Sequence, residues 1–199
     1  MPAASQEEKR RQILEAAVRA FARKGYHACR VGEIAEEAGV AYGLVYHYFA
    51  SKEEVLETIF RDTWTQMLAR VHEVQEEGGP AEEQVRKVTA LLLRTWRRDP
   101  DLVRVLVHEV TRSPEQLPRQ VDEIKHAYEA LEGIVANGQK TGEFRDDLDP
   151  QLAATIFYGA LEEVLTGWVM GQLPDGDEDI AKAEQAVTGL ICDGLANRS

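Results

Sequence analysis

The stretch VGEIAEEAGVAYGLVYHYFASK, residues 31–52, decides how the rest of the chain is read. Val31, Ile34, Ala35 and Ala38 recur at i, i+3, i+4 and i+7, an apolar stripe along one helix, with Glu33, Glu36 and Glu37 pointing away from it. Gly39 is placed to end that helix, because glycine tolerates the left-handed conformation that closes one. After the short turn Gly39-Val40-Ala41 a second helix follows, in which Val45, Tyr48 and Phe49 share a core-facing side. Tyr42, Gly43, Tyr46 and His47 fall on the other side, and Ser51-Lys52-Glu53-Glu54 is a capping box that opens a third helix.

Two short helices so joined form a helix-turn-helix, whose second helix can lie in a DNA major groove. Here the sequence resembles the TetR family of bacterial transcriptional regulators. The resemblance is carried by Gly25-Tyr26, Ile34-Ala35, Ala38-Gly39-Val40, Gly43, Tyr46-His47-Tyr48-Phe49 and Ser51-Lys52-Glu53, in order and without gaps. Four positions depart from the family's habit: Cys29 and Ala41, where Ser or Thr is common, Tyr42, where Lys or Arg is common, and Leu44, where Thr is common. They bear on which operator is read. The resemblance implies an all-α chain of about nine helices. A helix-turn-helix DNA-binding domain would span 1–51, and a helical effector-binding and dimerisation domain 52–199.

The chain of 199 residues carries a formal charge of -12, unusual for a DNA binder. Residues 1–62 hold nine Lys or Arg against ten Asp or Glu, so nearly all the surplus lies beyond them. DNA affinity must then come from local clusters, with repulsion elsewhere limiting non-specific binding. Cys29 and Cys192 suggest neither a disulfide framework nor a zinc site, and are expected to be buried or inert. The start MPAASQEEKRRQ has no apolar run of the signal-peptide kind, and no stretch has the length of a membrane span; the reading is a soluble cytoplasmic protein.

Helix punctuation is frequent. Ser5-Gln6-Glu7-Glu8 reads as a capping box opening a first helix that stops at Lys24-Gly25. The helix opened at Ser51 runs to Gly78-Gly79-Pro80. Asp99-Pro100, Ser113-Pro114 and Asp149-Pro150 each place a capping side chain before a proline at the first helical position, so helices are expected near 81, 100, 114 and 149. Asn137-Gly138 and Thr141-Gly142 read as chain breaks. Between Leu152 and Val169 apolar residues cover more than one face. With the final helix from Ile180 to Leu195, these residues predict half of a two-fold four-helix interface, hence a homodimer.

For DNA, Tyr42 and Leu44 are expected to meet base edges and thymine methyl groups, and Gly43 to let backbone approach. Tyr46, His47 and Lys52 are expected to donate to phosphates, and Arg30 completes the set. In the second domain Trp64, Met67, Trp96, Val107, Tyr128, Leu131, Phe157 and Leu161 supply apolar and aromatic faces, and the family uses that domain as a ligand pocket. Arg94, Arg97, Arg98 and Arg104 read as a cationic cluster, so a ligand with an apolar tail and an anionic head suits both features. The segment GEFRDDLDPQLAATIFYGALEEVLTGWVM, with GYHACRVGEIAEEAGVAYGLVYHYF, looks like the FadR-type fatty-acid-degradation branch of the family, which implies a long-chain acyl-CoA effector. The other ligand chemistry to weigh is an aromatic, cationic compound held by the acidic surplus. No glycine-rich phosphate loop or nucleophile elbow is present, and neither enzymatic activity, nor a cofactor, nor a metal is expected.

Overall fold

The structure is a computed structural model that describes residues 3–110 and 121–197. Among them run nine helices: α1 (Ala3–Lys24), α2 (Val31–Glu37), α3 (Tyr42–Tyr48), α4 (Lys52–Glu77), α5 (Ala81–Arg98), α6 (Pro100–Val110), α7 (Val121–Thr141), α8 (Pro150–Val169) and α9 (Asp177–Leu195). The only β pairing among the described residues is an isolated bridge between Phe144 and Ala196. The all-α expectation holds.

The chain divides into two compact units, one holding Met1–Thr63 with most of α6, the other beginning at Trp64 and resuming after α6. The division therefore falls inside α4 rather than at residue 51. Its cause is packing: Val55, Leu56 and Ile59 of α4 and Val105 of α6 are buried in one core with Ile13, Phe21, Ile34, Val45 and Phe49. Each such aliphatic side chain contributes roughly 1.5–3 kcal/mol by leaving water, so the first turns of α4 are bound to the N-terminal unit. In the second unit α7 packs on α8, and α5 on α9, α7 and α8.

Several expected boundaries shift. α1 already begins at Ala3, which leaves Ser5 inside the helix. The cap at Ser51 stands, its Oγ accepting from the Glu54 amide at 3.2 Å. Asp149 caps α8 through the Leu152 amide at 2.8 Å, with Pro150 in the first turn. Asp99 is the C-cap of α5, its amide donating to Thr95 O, and α6 follows at once. The helix start expected near 114 lies outside the described residues. Asn137-Gly138 is no break, for α7 runs on to Thr141. A Cβ on Gly138 would stand 2.4 Å from the Phe144 ring and 2.8 Å from Ala81 Cβ, so glycine is there to let two elements approach.

Candidate functional site

The surface that α3 presents is set by how α2 ends. Gly39 takes a φ of +63°. Its amide reaches Glu36 O at 3.0 Å and the Val40 amide reaches Ala35 O at 3.0 Å, the paired bonds of a Schellman closure. The chain then enters α3 with Val45 and Phe49 buried against Ile34, Ala35 and Ala38. This leaves Tyr42 56% and Tyr46 45% exposed, with Gly43 and His47 also at the surface. Leu44 is half-buried, less prominent than its helical position suggests.

Tyr42 and Tyr46 form a pair, with rings 5.2 Å apart edge to face and hydroxyls sharing a hydrogen bond of 3.3 Å. That bond, with burial and the neighbouring phenol, holds the Tyr46 hydroxyl above its usual range, so Tyr46 presents a neutral O–H group. A Cβ built on Gly43 would meet nothing within 4 Å. Packing gives no reason for glycine there, although it costs a helix interior about 0.5–1 kcal/mol relative to alanine.

Lys52 faces inward. Its ammonium donates to Tyr26 O at 2.8 Å, Cys29 O at 3.0 Å and His27 O at 3.4 Å, and lies 4.3 Å from the centre of the Tyr26 ring. An ammonium has three protons, and three carbonyls of the loop between α1 and α2 use them. The expected phosphate donor is thus a latch that ties this loop to the start of α4. Arg30 is the exposed N-cap residue of α2, and its amide donates to Glu33 Oε2 at 2.8 Å. Lys24 pairs with Glu33, and Arg19 and Arg23 both pair with Glu37 at 2.9 Å, which fixes α2 on α1. The bond from Lys24 and then the Arg30 amide hold the Glu33 carboxyl below its ordinary range, and Arg19 and Arg23 do the same for Glu37.

The second unit gathers part of the expected ligand set. The Trp64 and Tyr158 rings lie 6.2 Å apart and those of Tyr128 and Tyr158 4.9 Å apart, an aromatic wall drawn from α4, α7 and α8. Glu162, one helical turn beyond Tyr158, is half-buried beside it. Burial, then neighbouring Glu163, pushes its carboxyl pKa up, while burial and the Glu162 charge raise both phenols. Leu131, Phe157 and Leu161 are core residues and Met67 is half-buried. Trp96 stacks on Trp168 at 6.3 Å and donates to Asp175 at 3.2 Å, a structural role.

Three of the four arginines have carboxylate partners. Arg94 makes a two-pronged bond with Glu184 at 2.7 and 2.8 Å, Arg97 pairs with Asp177, and Arg98 is exposed at the end of α5. Arg104 and Val107 are on α6, whose residues from Asp101 belong to the first unit, where Arg104 bonds Asp101 at 2.8 Å. Carboxylates of α9, far along the sequence, neutralise Arg94 and Arg97. Tyr158 and Glu162 were the residues sequence reasoning passed over. Their one signal was a carboxylate four positions after a tyrosine in an otherwise apolar helix.

Among the described residues no helix is long and apolar enough to cross a membrane. Residues 13–59 match the model of bacterial regulatory proteins of the tetR family, and residues 60–194 that of the YsiA-like protein C-terminal region. The fatty acid metabolism regulator protein of Bacillus subtilis is 33% identical over 94% of this chain and 95% of its own. The crystal structure of FadR from Bacillus subtilis in complex with stearoyl-CoA superposes with a TM-score of 0.83 at 32% identity, over 92% of this chain and 98% of that one. For the fatty acid degradation regulator FadR of Bacillus halodurans the TM-score is 0.85 at 31% identity, over 96% and 97%. With the helix-turn-helix of α2 and α3 in place and both halves matched, this chain belongs to the TetR family of bacterial transcriptional regulators.

Proposed function

We propose that the protein is a cytoplasmic homodimeric repressor that binds a pseudo-palindromic operator and leaves it when a long-chain acyl-CoA occupies the C-terminal unit. The observation that carries this reading is 33% identity to a fatty acid metabolism regulator along nearly the whole of both chains, together with the likeness to a regulator crystallised with stearoyl-CoA. Those similarities favour an acyl-CoA over an aromatic or cationic effector.

The geometry of α3, α8 and α9 supports the DNA-binding and assembly steps. Tyr42 reads base edges in the major groove, and Gly43 allows backbone to come close to DNA, which accounts for a glycine that its own packing does not require. Tyr46 and His47 hold phosphates. Two-fold assembly uses α8 and α9: Leu152 and Ile156 on one helix are 55% and 58% exposed, and Leu190 on the other is 77% exposed, with Ala186 exposed one turn before it. Apolar side chains so spaced form stripes that a second copy covers.

In the effector step burial of the acyl chain supplies the affinity, roughly 0.8 kcal/mol per methylene before ordering costs, so chain length sets the strength of binding. Release follows when the ligand prefers a dimer whose reading helices are wrongly spaced for the operator. The test is titration of an operator complex with acyl-CoAs of increasing length, beside CoA alone. Release that strengthens with chain length supports the proposal. Release absent at every length, or equal for CoA alone, overturns the acyl-CoA effector.

A further inference from the structure

Glu162 is an anomaly in the second unit. It lies half-buried on α8, and among the described residues no cation or hydrogen-bond donor engages its carboxylate. Its surroundings are the rings of Tyr158, one turn earlier on the same helix, and Tyr128 on α7, with the Trp64 indole beyond Tyr158. Both phenols feel its charge. Three other acidic residues of this unit do have cation partners: Glu184 has Arg94, Asp177 has Arg97 and Asp147 has Arg145. A partly desolvated carboxylate left unanswered costs stability that a glutamine of the same shape would not.

Such a charge sorts ligands by sign. An uncharged chain, thioester or amide can lie along the aromatic wall beside Glu162, whereas a second carboxylate brought there would be repelled while both anions lose water. From these observations, and resting on the acyl-CoA reading above, we infer that Glu162 is the residue that excludes free fatty acids from the effector site and admits their uncharged thioesters. The two ligands share one acyl tail, and they differ where the tail ends: the thioester is neutral, and its phosphates are a pantetheine's length away, while the free acid carries its charge on the first carbon. Two like charges several ångströms apart at an effective dielectric near 20 weaken binding by about ten- to a hundredfold.

The experiment compares wild type with Glu162→Gln and Glu162→Asp at pH 8, titrating each full-length protein with stearoyl-CoA, with stearate below its micelle concentration, and with CoA. Circular dichroism checks that each variant is folded. Wild type is expected to bind stearoyl-CoA and to bind stearate at least about tenfold more weakly. Glu162→Gln should gain about tenfold or more for stearate while its stearoyl-CoA affinity moves less than about threefold. Glu162→Asp, which keeps the charge, should keep the discrimination. A loss of packing alone would shift both ligands together, and that result overturns the inference, as does a stearate affinity unchanged in Glu162→Gln. Failure of wild type to bind stearoyl-CoA removes the effector reading itself and this inference with it, an outcome distinct from binding without discrimination.

Discussion

The two compact units are tied together internally over different distances along the chain. In the first, side-chain bonds reach back 26 residues from Lys52 to Tyr26, 18 from Glu37 to Arg19 and 9 from Glu33 to Lys24. In the second, the bonds between Arg94 and Glu184, Trp96 and Asp175, the Ala81 amide and Glu143, and Gln75 and Ala130 O span 90, 79, 62 and 55 residues. The first is closed mainly over shorter stretches, the longest of these side-chain bonds reaching 52 residues from Arg10 to Asp62. The second forms only when α5, α7, α8 and α9 are all present, since each closing contact orders a longer stretch of chain. The reading unit is therefore tied together over shorter stretches of chain than the ligand unit.

The strongest way to break this contrast is at the surface of the second unit. Leu190→Glu, and Ala186→Glu beside it, should yield monomers in sedimentation and weaken operator binding by about a hundredfold or more, because two half-sites no longer share one effective concentration. The first unit should keep its helices, being closed by its own contacts. An undisturbed dimer in both variants would count against assembly through α8 and α9.

Next in size is Gly138→Ala. The added methyl would collide with Phe144 and Ala81. Overpacking of this kind costs about 1–3 kcal/mol. Urea denaturation should show that loss in the second unit, and a neutral outcome would mean that the junction of α7 with α5 is looser than described.

How far these features were legible follows from the same contrast. The helix-turn-helix could be read almost residue by residue, because the Gly39 closure, the buried Val45 and Phe49 and the exposed Tyr42 and Tyr46 are decided within ten or so positions by helical periodicity. The arginines misled for the opposite reason. Arg94, Arg97, Arg98 and Arg104 are near in sequence, but what neutralises Arg94 and Arg97 comes from α9, and Arg104 is paired within α6 in the other unit. Gly138 looked like a break because the ring that needs its space is brought back by the turn after α7. Lys52 looked like a phosphate contact because its carbonyl partners lie 23 to 26 residues upstream.

That correction yields a smaller but sharper prediction. If Lys52 is a latch, Lys52→Gln should weaken operator binding by about tenfold yet leave the slope of log affinity against log salt nearly unchanged. Removal of a phosphate contact would instead reduce the slope by about 0.9. A slope reduced by that amount would show that the charge reaches DNA after all.

The smallest expected effect concerns pH. Glu33 and Glu37 have folded-state pKa values below the ordinary 4.5, so their pairs contribute stability above that pH and lose it as pH falls through the lowered values. Thermal unfolding of Glu37→Gln should match wild type more closely at pH 3 than at pH 6. A gap that is constant across that range would mean that the pairs with Arg19 and Arg23 contribute nothing to the first unit.

The placement of the three tryptophans gives the molecule an optical asymmetry. Trp64, Trp96 and Trp168 all lie in the second unit, so the indole emission of the whole protein reports on that unit and is silent about the reading helix. Two of them are stacked on each other with their N–H groups bonded to Asp175 and Pro174 O, while Trp64 stands against Tyr158 on the aromatic wall. Replacing the stacked pair by phenylalanine would leave one lamp, Trp64, beside the site assigned to the effector. With the Tyr158 ring 6.2 Å away, its emission would report occupancy of the wall without an attached dye.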